Sequence, residues 1–298
     1  MTEPPEPVFR RLAVIGVGLI GGSVARAARV RGDLAAEVVG YAHTAAERAR
    51  VRELGIVDRV AETLAEAVAG ADCAMLAAPV GAYAAVAEAI APHLAPGCVL
   101  TDVGSTKCSV IRDVGPLVPA GVHFVPAHPL AGTEHSGPDS GFATLFEGRW
   151  CLLTPPPGTD AAAVARVEAL WRRMGSQVAR MEPAHHDRVL AIVSHLPHLI
   201  AFTICGTADD LQGETHDEVL EFAATGFRDF TRIAASDPTM WRDVFLNNRE
   251  ALLEMLARFT EDAQAMARAV RWGDAAYIED RIMRGRKIRQ GLIERKQA

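Results

Sequence analysis

At 298 residues the chain is near the upper size of a single compact core, so two domains are expected. Apolar residues at 49% and charged residues at 23% are those of a soluble globular chain, and a net charge of −6 argues against nucleic acid or an anionic membrane surface as the main partner. No uninterrupted apolar run approaches the ~18 residues that span a bilayer. The first eight residues hold three prolines and no signal-peptide core, and the five scattered cysteines lack metal spacing, so the expectation is a cytoplasmic protein with reduced thiols and no metal.

Leu12–Ile15 reads as a strand that runs into Gly16-Val17-Gly18-Leu19-Ile20-Gly21, with helical sequence over Gly21–Val30. This is the strand–turn–helix context of a dinucleotide fingerprint. Gly16 serves the sharp turn, Gly18 the approach of a pyrophosphate, and Gly21 the packing of helix on strand, with Leu19 and Ile20 completing the turn. A glycine-rich turn that binds nothing is the plain alternative; position and context favour the cofactor.

Next in order, Glu37–Tyr41 predicts a strand, Ala45–Leu54 a helix closed by Gly55, and Cys73–Ala77 a buried strand ending at Pro79. Gly81–Ile90 is helical, and Cys98–Asp102, Val122–Ala127 and Trp150–Thr154 are further strands. Strands separated by helices imply right-handed crossovers, hence an α/β, Rossmann-type doubly wound parallel sheet with ligands beyond the carboxyl ends of its strands. The polar clusters fall there: Pro79–Val80, Asp102–Lys107 and His128–Gly137. Ala161–Met174 (helix) and Gln177–Met181 (strand) read as an appendage to this sheet.

From Pro183 the pattern turns helical: His185–Gly206, from Leu220–Phe222 onward, Met240–Val270 with Leu246, Leu253, Leu256 and Phe259 at helical spacing, and Ala275–Ile293. Residues 1–182 are therefore expected to bind the dinucleotide. Residues 183–298 should form an all-α substrate and dimerisation domain, because its last helices carry more apolar surface than a lone bundle leaves wet.

The chemistry-bearing residues follow. The acid that usually reads an NAD ribose after the second strand is absent; His43 and Thr44 stand at the contact positions, with Arg48 one turn on, and the choice of NAD or NADP stays open. Asp102-Val103-Gly104-Ser105-Thr106-Lys107 offers the Ser105 hydroxyl to a substrate, with Lys107 either at the cleft or a surface charge. His128 follows a strand at the start of a Gly-rich polar stretch, where imidazole suits removal of a hydroxyl proton during hydride loss. In Ser194-His195-Leu196-Pro197-His198 the two histidines share a helix face, lining a pocket or filling a core. Arg232 is a candidate carboxylate clamp, unless Glu134 or Asp229 holds it in an ordinary salt bridge.

Taken in order, Gly-Val-Gly-Leu-Ile-Gly-Gly-Ser, Asp-Val-Gly-Ser-Thr-Lys, His-Pro-Leu-Ala-Gly-Thr-Glu, Ser-His-Leu-Pro-His and Phe-Arg-Asp-Phe-Thr-Arg-Ile-Ala…Asp-Pro-Thr-Met-Trp resemble the prephenate/arogenate (cyclohexadienyl) dehydrogenases of tyrosine biosynthesis, over about residues 11–250. The resemblance implies a Rossmann domain followed by a helical dimerisation domain, a homodimer, and oxidative decarboxylation of prephenate or arogenate with hydride transfer to NAD, NADP being the alternative. It implies His128 as the catalytic histidine and Ser105 as its partner in orienting the ring hydroxyl. Ser194, His195, His198 and Arg232 would hold substrate, Glu134 and Asp229 would brace that arginine, and Arg286 or Arg289 would reach a neighbouring subunit's site. Tyrosine is a candidate inhibitor that the sequence leaves open. Two rival readings stand beside this resemblance. A hydroxyacid-type dehydrogenase would use a catalytic helix lysine, yet the only lysines after Gly175 lie beyond Met283. A non-catalytic dinucleotide sensor would not need His128, Ser105 and Arg232 together.

Overall fold

The computed structural model describes residues 6–210, 218–219 and 221–295. Its backbone packs as two compact units, Met1–Arg249 and Glu250–Ala298.

The first unit is organised on a six-stranded parallel sheet of order β3-β2-β1-β4-β5-β6: β1 Phe9–Ile15, β2 Ala35–Tyr41, β3 Arg59–Val60, β4 Cys73–Leu76, β5 Val99–Asp102 and β6 His123–Val125. Side-chain alternation sends Leu12 and Val14 of β1 into one apolar layer and Ala13 and Ile15 into the other. The first layer is closed by α1 (Leu19–Arg31) and the helix Ala161–Arg173, and the second by Tyr83–Ile90 and Cys108–Val114. A strand buried on both faces explains the continuous apolar runs. The order reverses between β1 and β4, which opens the crevice at the carboxyl end of β1.

Two predicted strands differ from expectation, one in part and one wholly. Val122–Ala127 is interrupted at Pro126, which has no N–H to donate; the chain leaves the main sheet there and forms β7 (Ala127–Pro129), antiparallel to β8 (Trp150–Leu153). β9 (Gln177–Arg180) runs parallel to β8, so these three form a second sheet and Trp150–Leu153 is not a strand of the first. His128 is consequently the middle residue of β7 rather than the residue after a strand.

Pro183–Asp209 is continuous helix with a π turn at Ala191–His195, just before Pro197. Among the described residues it is the one helix long and apolar enough to cross a membrane, against the expectation of none. Its His186, Asp187 and His195 are instead buried inside the first unit. The long helix expected over Met240–Val270 is broken: Pro238–Asn247 ends at Asn248, and Arg249–Trp272 begins after it. Asp237 caps the former by accepting from the Met240 N–H at 2.8 Å, with Pro238 in its first turn. Phe222 is described but Leu220 lies outside the described residues; the next helix is Thr225–Thr231.

The second unit is a helical hairpin. Arg249–Trp272 and Ala275–Glu294 meet at Gly273 (φ +68°), and Arg281 pairs with Asp262 at 2.9 Å. Leu253, Phe259, Trp272, Met283 and Ile288 are exposed on it.

Candidate active site

The cofactor end of the crevice is shaped by what side chains would obstruct. Gly16 has φ +100°, and a Cβ there would lie 2.6 Å from the backbone of Ala77. A Cβ on Gly21 would lie 2.1 Å from the Gly16 carbonyl oxygen, so this glycine lets α1 approach the strand. At Gly18 a Cβ would meet nothing within 4 Å. The open space stands at the N-terminus of α1, where no side chain caps the N–H groups and no acid occupies the first turn. A pyrophosphate fits that cradle, and a side chain at Gly18 would fill it.

At the end of β2, Arg48 and Thr44 have other tasks than those expected. Arg48 Nη1 donates to the carbonyls of Ala42 and His43, each at 2.9 Å, and Nε to Glu62 at 3.1 Å. Thr44 caps the helix Ala45–Leu54 in a reciprocal box with Glu47. His43 is exposed. Asp102, expected at the cofactor, also differs: its carboxylate is buried and engaged by protein groups on both oxygens. Oδ2 accepts from Lys107 Nζ at 2.5 Å and Gly104 N–H at 2.8 Å, and Oδ1 from Ala127 N–H at 3.1 Å. Lys107 is not a surface charge. It is fully buried, with Nζ also donating to the Ala127 carbonyl at 2.7 Å. Burial pushes the Asp102 carboxyl up and the Lys107 ammonium down, and each opposes the shift of the other. The pair ties the carboxyl end of β5 to both peptide groups of Ala127, directly before the catalytic candidate.

His128 is buried, and its Nδ1 lies 2.9 Å from Nε2 of His186. Nδ1 of His186 lies 2.8 Å from Asp187 Oδ1. Asp187 in turn accepts the Lys107 N–H at 2.8 Å and the Cys108 N–H at 2.9 Å. Burial alone would raise the Asp187 carboxyl, but hydrogen bonds from His186 and the two backbone donors bring it below the usual range. Asp187 is therefore acceptor-only, which assigns the tautomers along the chain. His186 donates from Nδ1 and accepts at Nε2, and His128 donates from Nδ1, which leaves the lone pair of His128 on Nε2. Burial, then repulsion from His186 and Lys107, lowers the His128 pKa well below that of a free histidine, so the ring is neutral.

His195 reaches the same cluster from the helix Pro183–Asp209. One α turn plus one π turn takes about eight residues, so the π turn brings His195 into phase above Asp187. Its Nδ1 lies 2.9 Å from Asn248 Nδ2, and the Asn248 amide also donates to the Asp187 carbonyl at 2.8 Å. His198 stacks on Trp241 at 3.6 Å between ring centroids, with its Nδ1 at 2.9 Å from the Ser194 carbonyl. Arg232 pairs with Glu134 at 3.2 Å beside a cavity of about 400 Å³ that Leu130, Gly132 and Thr133 also line. The Arg232 charge bears on His198. Asp229 is exposed on Thr225–Thr231, Ser105 is half-buried between Asp102 and Lys107, and Pro79 and Val80 follow β4. Arg286 and Arg289 lie exposed on the second unit's helix Ala275–Glu294.

With this geometry in place, comparison with known proteins is decisive. The model of the prephenate dehydrogenase nucleotide-binding domain matches residues 24–180, and that of the prephenate dehydrogenase dimerization domain matches residues 182–284. The chain belongs to the prephenate dehydrogenase family. A cyclohexadienyl dehydrogenase of Zymomonas mobilis subsp. mobilis is 38% identical over 286 residues, spanning 96% of this chain and 97% of that protein. A prephenate dehydrogenase of Bacillus subtilis is 30% identical over 94% of this chain and 76% of its own length. The crystal structure of the Aquifex aeolicus prephenate dehydrogenase, in complex with hydroxyphenyl propionate and NAD+, superposes with a TM-score of 0.86 at 32% identity, covering 95% of this chain and 98% of that one.

For a prephenate dehydrogenase, the sequence reading overlooked three residues that the structure places at the cluster: His186, Asp187 and Asn248. His186 and Asp187 lie within the first five residues of a helix capped by Glu182, near a helix start where polar residues are ordinarily solvated. Two adjacent buried-capable polar residues opening an otherwise apolar helix were the available signal. Asn248 had none, because the apolar spacing runs across it.

Proposed function

We propose that this chain catalyses the oxidative decarboxylation of prephenate, with arogenate as the alternative ring substrate, and with NAD as the preferred hydride acceptor. The observation that carries the reading is the Asp187–His186–His128 chain, which ends in a lone pair beside a crevice with an uncapped helix N-terminus and an open Gly18. Residues Gly16, Gly18, Leu19, Ile20 and Gly21 would hold the pyrophosphate, with Pro79 and Val80 along the crevice, and a nicotinamide bound there would supply the hydride acceptor.

His128 handles the proton. As hydride leaves C4, positive charge gathers on the C4 hydroxyl, and the His128 Nε2 lone pair accepts its proton. The bond between C1 and its carboxylate breaks, CO2 departs, and the electron pair completes the aromatic ring with the oxygen as phenolate. The proton then returns from His128, so the products are 4-hydroxyphenylpyruvate (or tyrosine), CO2 and reduced nucleotide, with no net proton released. Asp187 and His186 hold the His128 ring in the base-competent tautomer and stabilise its transient cation. Ser105 orients the hydroxyl, Arg232 holds a substrate carboxylate with Glu134 steadying it, and Ser194, His195 and His198 line the pocket.

In this reading the nucleotide domain is 1–182 and the substrate and dimerisation domain 183–298, with the exposed apolar faces of the terminal hairpin buried in a homodimer; sedimentation as a monomer at micromolar concentration would contradict this. Tyrosine, which shares the phenol ring and the side-chain carboxylate of 4-hydroxyphenylpyruvate, competes for the pocket. The free thiols favour a cytoplasmic location. The test of function is direct: purified full chain with prephenate or arogenate and NAD or NADP, followed by absorbance of the reduced nicotinamide and by CO2 release. Turnover in step with CO2 is expected; reduction of nucleotide without decarboxylation, or neither, overturns the reading.

A further inference from the structure

We infer that Asn248 is a positioning residue whose carboxamide fixes His195 as the Nε2–H tautomer, making His195 a permanent hydrogen-bond donor to an oxygen of the substrate. The geometry leaves little freedom. The Asp187 carbonyl can only accept, so the Asn248 atom 2.8 Å from it must be the amide nitrogen. That same Nδ2 lies 2.9 Å from His195 Nδ1, so Nδ1 is the acceptor and the ring proton sits on Nε2. Both side chains are buried, with His195 at 0% and Asn248 at 4% exposure, so water cannot substitute for either bond.

The donor created in this way has nothing to donate to. Nε2 of His195 is buried and has no hydrogen-bond partner among the described residues. A buried donor left unpaired is destabilising, and such exceptions cluster where a ligand completes the site. The groups around the ring are Asp187, His186, His198 and the edge of Trp241, whose ring centroid is 6.1 Å away. Burial keeps the imidazole neutral, its pKa pushed down to about 4, so it acts as a directed N–H rather than a cation.

Two local irregularities serve this contact. The π turn phases His195 over Asp187, and the helix break at Asn248 turns its side chain into the same space. Asp187 is the shared anchor: its carboxylate orders His186 and His128, and its carbonyl orders Asn248 and His195. The two ends present opposite polarity, a lone pair on His128 and an N–H on His195. A substrate oxygen that accepts is held at His195.

The inference rests on the proposed reaction only for the identity of the substrate, and the test separates the two. The full chain with 15N-labelled histidine is examined ligand-free by NMR at neutral pH, the His195 signals being assigned by their loss in His195→Gln. A protonated Nε2 and a pyridine-like Nδ1 are expected in the wild type. Asn248→Asp, which offers an acceptor in place of the donor, should move the proton to Nδ1 and raise the prephenate KM about ten- to hundredfold with the NAD KM unchanged. Asn248→Ser, a smaller change for use if the aspartate variant does not fold, should leave the two tautomers mixed and raise the same KM. A wild-type His195 protonated on Nδ1 overturns the inference whatever the activity, as does a tautomer switch that leaves the prephenate KM unmoved. A chain that shows the expected tautomers but does not turn over prephenate keeps the lock and loses the reaction.

Discussion

The two ends of the crevice are built on different physics. Around Gly16–Gly21 the working feature is missing bulk: a Cβ at Gly16 or Gly21 collides with backbone, one at Gly18 would fill the open space at the N-terminus of α1, and the polar groups exposed there are main-chain N–H. Around His128 the working feature is side-chain polarity, propagated through buried hydrogen bonds among Asp187, His186, Asn248 and His195. The first site is set by six consecutive residues, Gly16–Gly21, between the end of β1 and the first turn of α1. The second draws on residues separated by as many as 120 positions, His128 to Asn248, and one wrong proton disables it. The contrast predicts that substitutions at the histidine end change turnover more than nucleotide binding, while obstruction at Gly18 does the reverse.

The largest effect is expected at the end of the relay. His128→Asn should lower kcat about 10²–10⁴-fold, the range of a positioned acid–base group, with the dissociation constant for NAD unchanged in a fluorescence titration. Near-wild-type turnover would remove His128 from the proton path and erase the difference between the two ends.

Next is a pH effect confined to the histidine end. The His195 pKa falls from the ordinary 6.5 to about 4 on folding. The folded state therefore binds fewer protons than the unfolded chain in that interval, so the stabilisation is complete above the unfolded pKa and is lost as pH falls between the two values. His195 alone should account for about 3 kcal/mol of lost stability across the interval. Asp102, whose pKa is raised, has the opposite sign, so the measurement is a difference: wild type against His195→Gln by urea unfolding at each pH. Parallel curves would show that His195 is not a buried neutral ring.

These expectations also mark what could be read from the sequence. The fingerprint turn was legible because its requirements are steric and local, and α1 and the helix closed by Gly55 fall where those requirements put them. His128 was legible as a residue but not as a place, since Pro126 splits one apolar run between two sheets without disturbing its hydrophobicity. Lys107 stayed open between the cleft and the surface because nothing local announces that Asp102 and the Ala127 carbonyl await it. Asn248 was hidden by Leu246, Leu253, Leu256 and Phe259, whose helical spacing persists across a real break.

Arg232→Ala sharpens the comparison at the rim. Its side chain is 61% exposed in the pair with Glu134, so water screens the charge and the effect is smaller than that of a buried clamp. The KM for prephenate should rise about ten- to hundredfold, the loss of one charge-assisted contact, and that for NAD should not move. Equal changes in both would make Arg232 a general brace.

The smallest effect concerns the nucleotide end itself. A 2′-phosphate requires cationic donors, and Arg48 is the residue positioned nearest the end of β2 to offer one. Its guanidinium is already committed to the Ala42 and His43 carbonyls and to Glu62, and it lies over the Tyr41 ring with its carbon 5.8 Å from the centroid. Turning toward a phosphate would strand both carbonyls of the loop. Thr44 is held by Glu47 in the capping box, leaving exposed His43 as the remaining candidate donor among the residues expected there. NAD, which needs no cation, should therefore be preferred about tenfold in kcat/KM, or ~1.4 kcal/mol. The measurement is kcat/KM for both nucleotides at saturating prephenate, at a mildly acidic and a mildly alkaline pH. A preference for NADP that shrinks with rising pH would assign the phosphate to His43. A preference for NADP at both would mean that Arg48 releases the loop carbonyls, and that the backbone logic of this end gives way to side-chain charge.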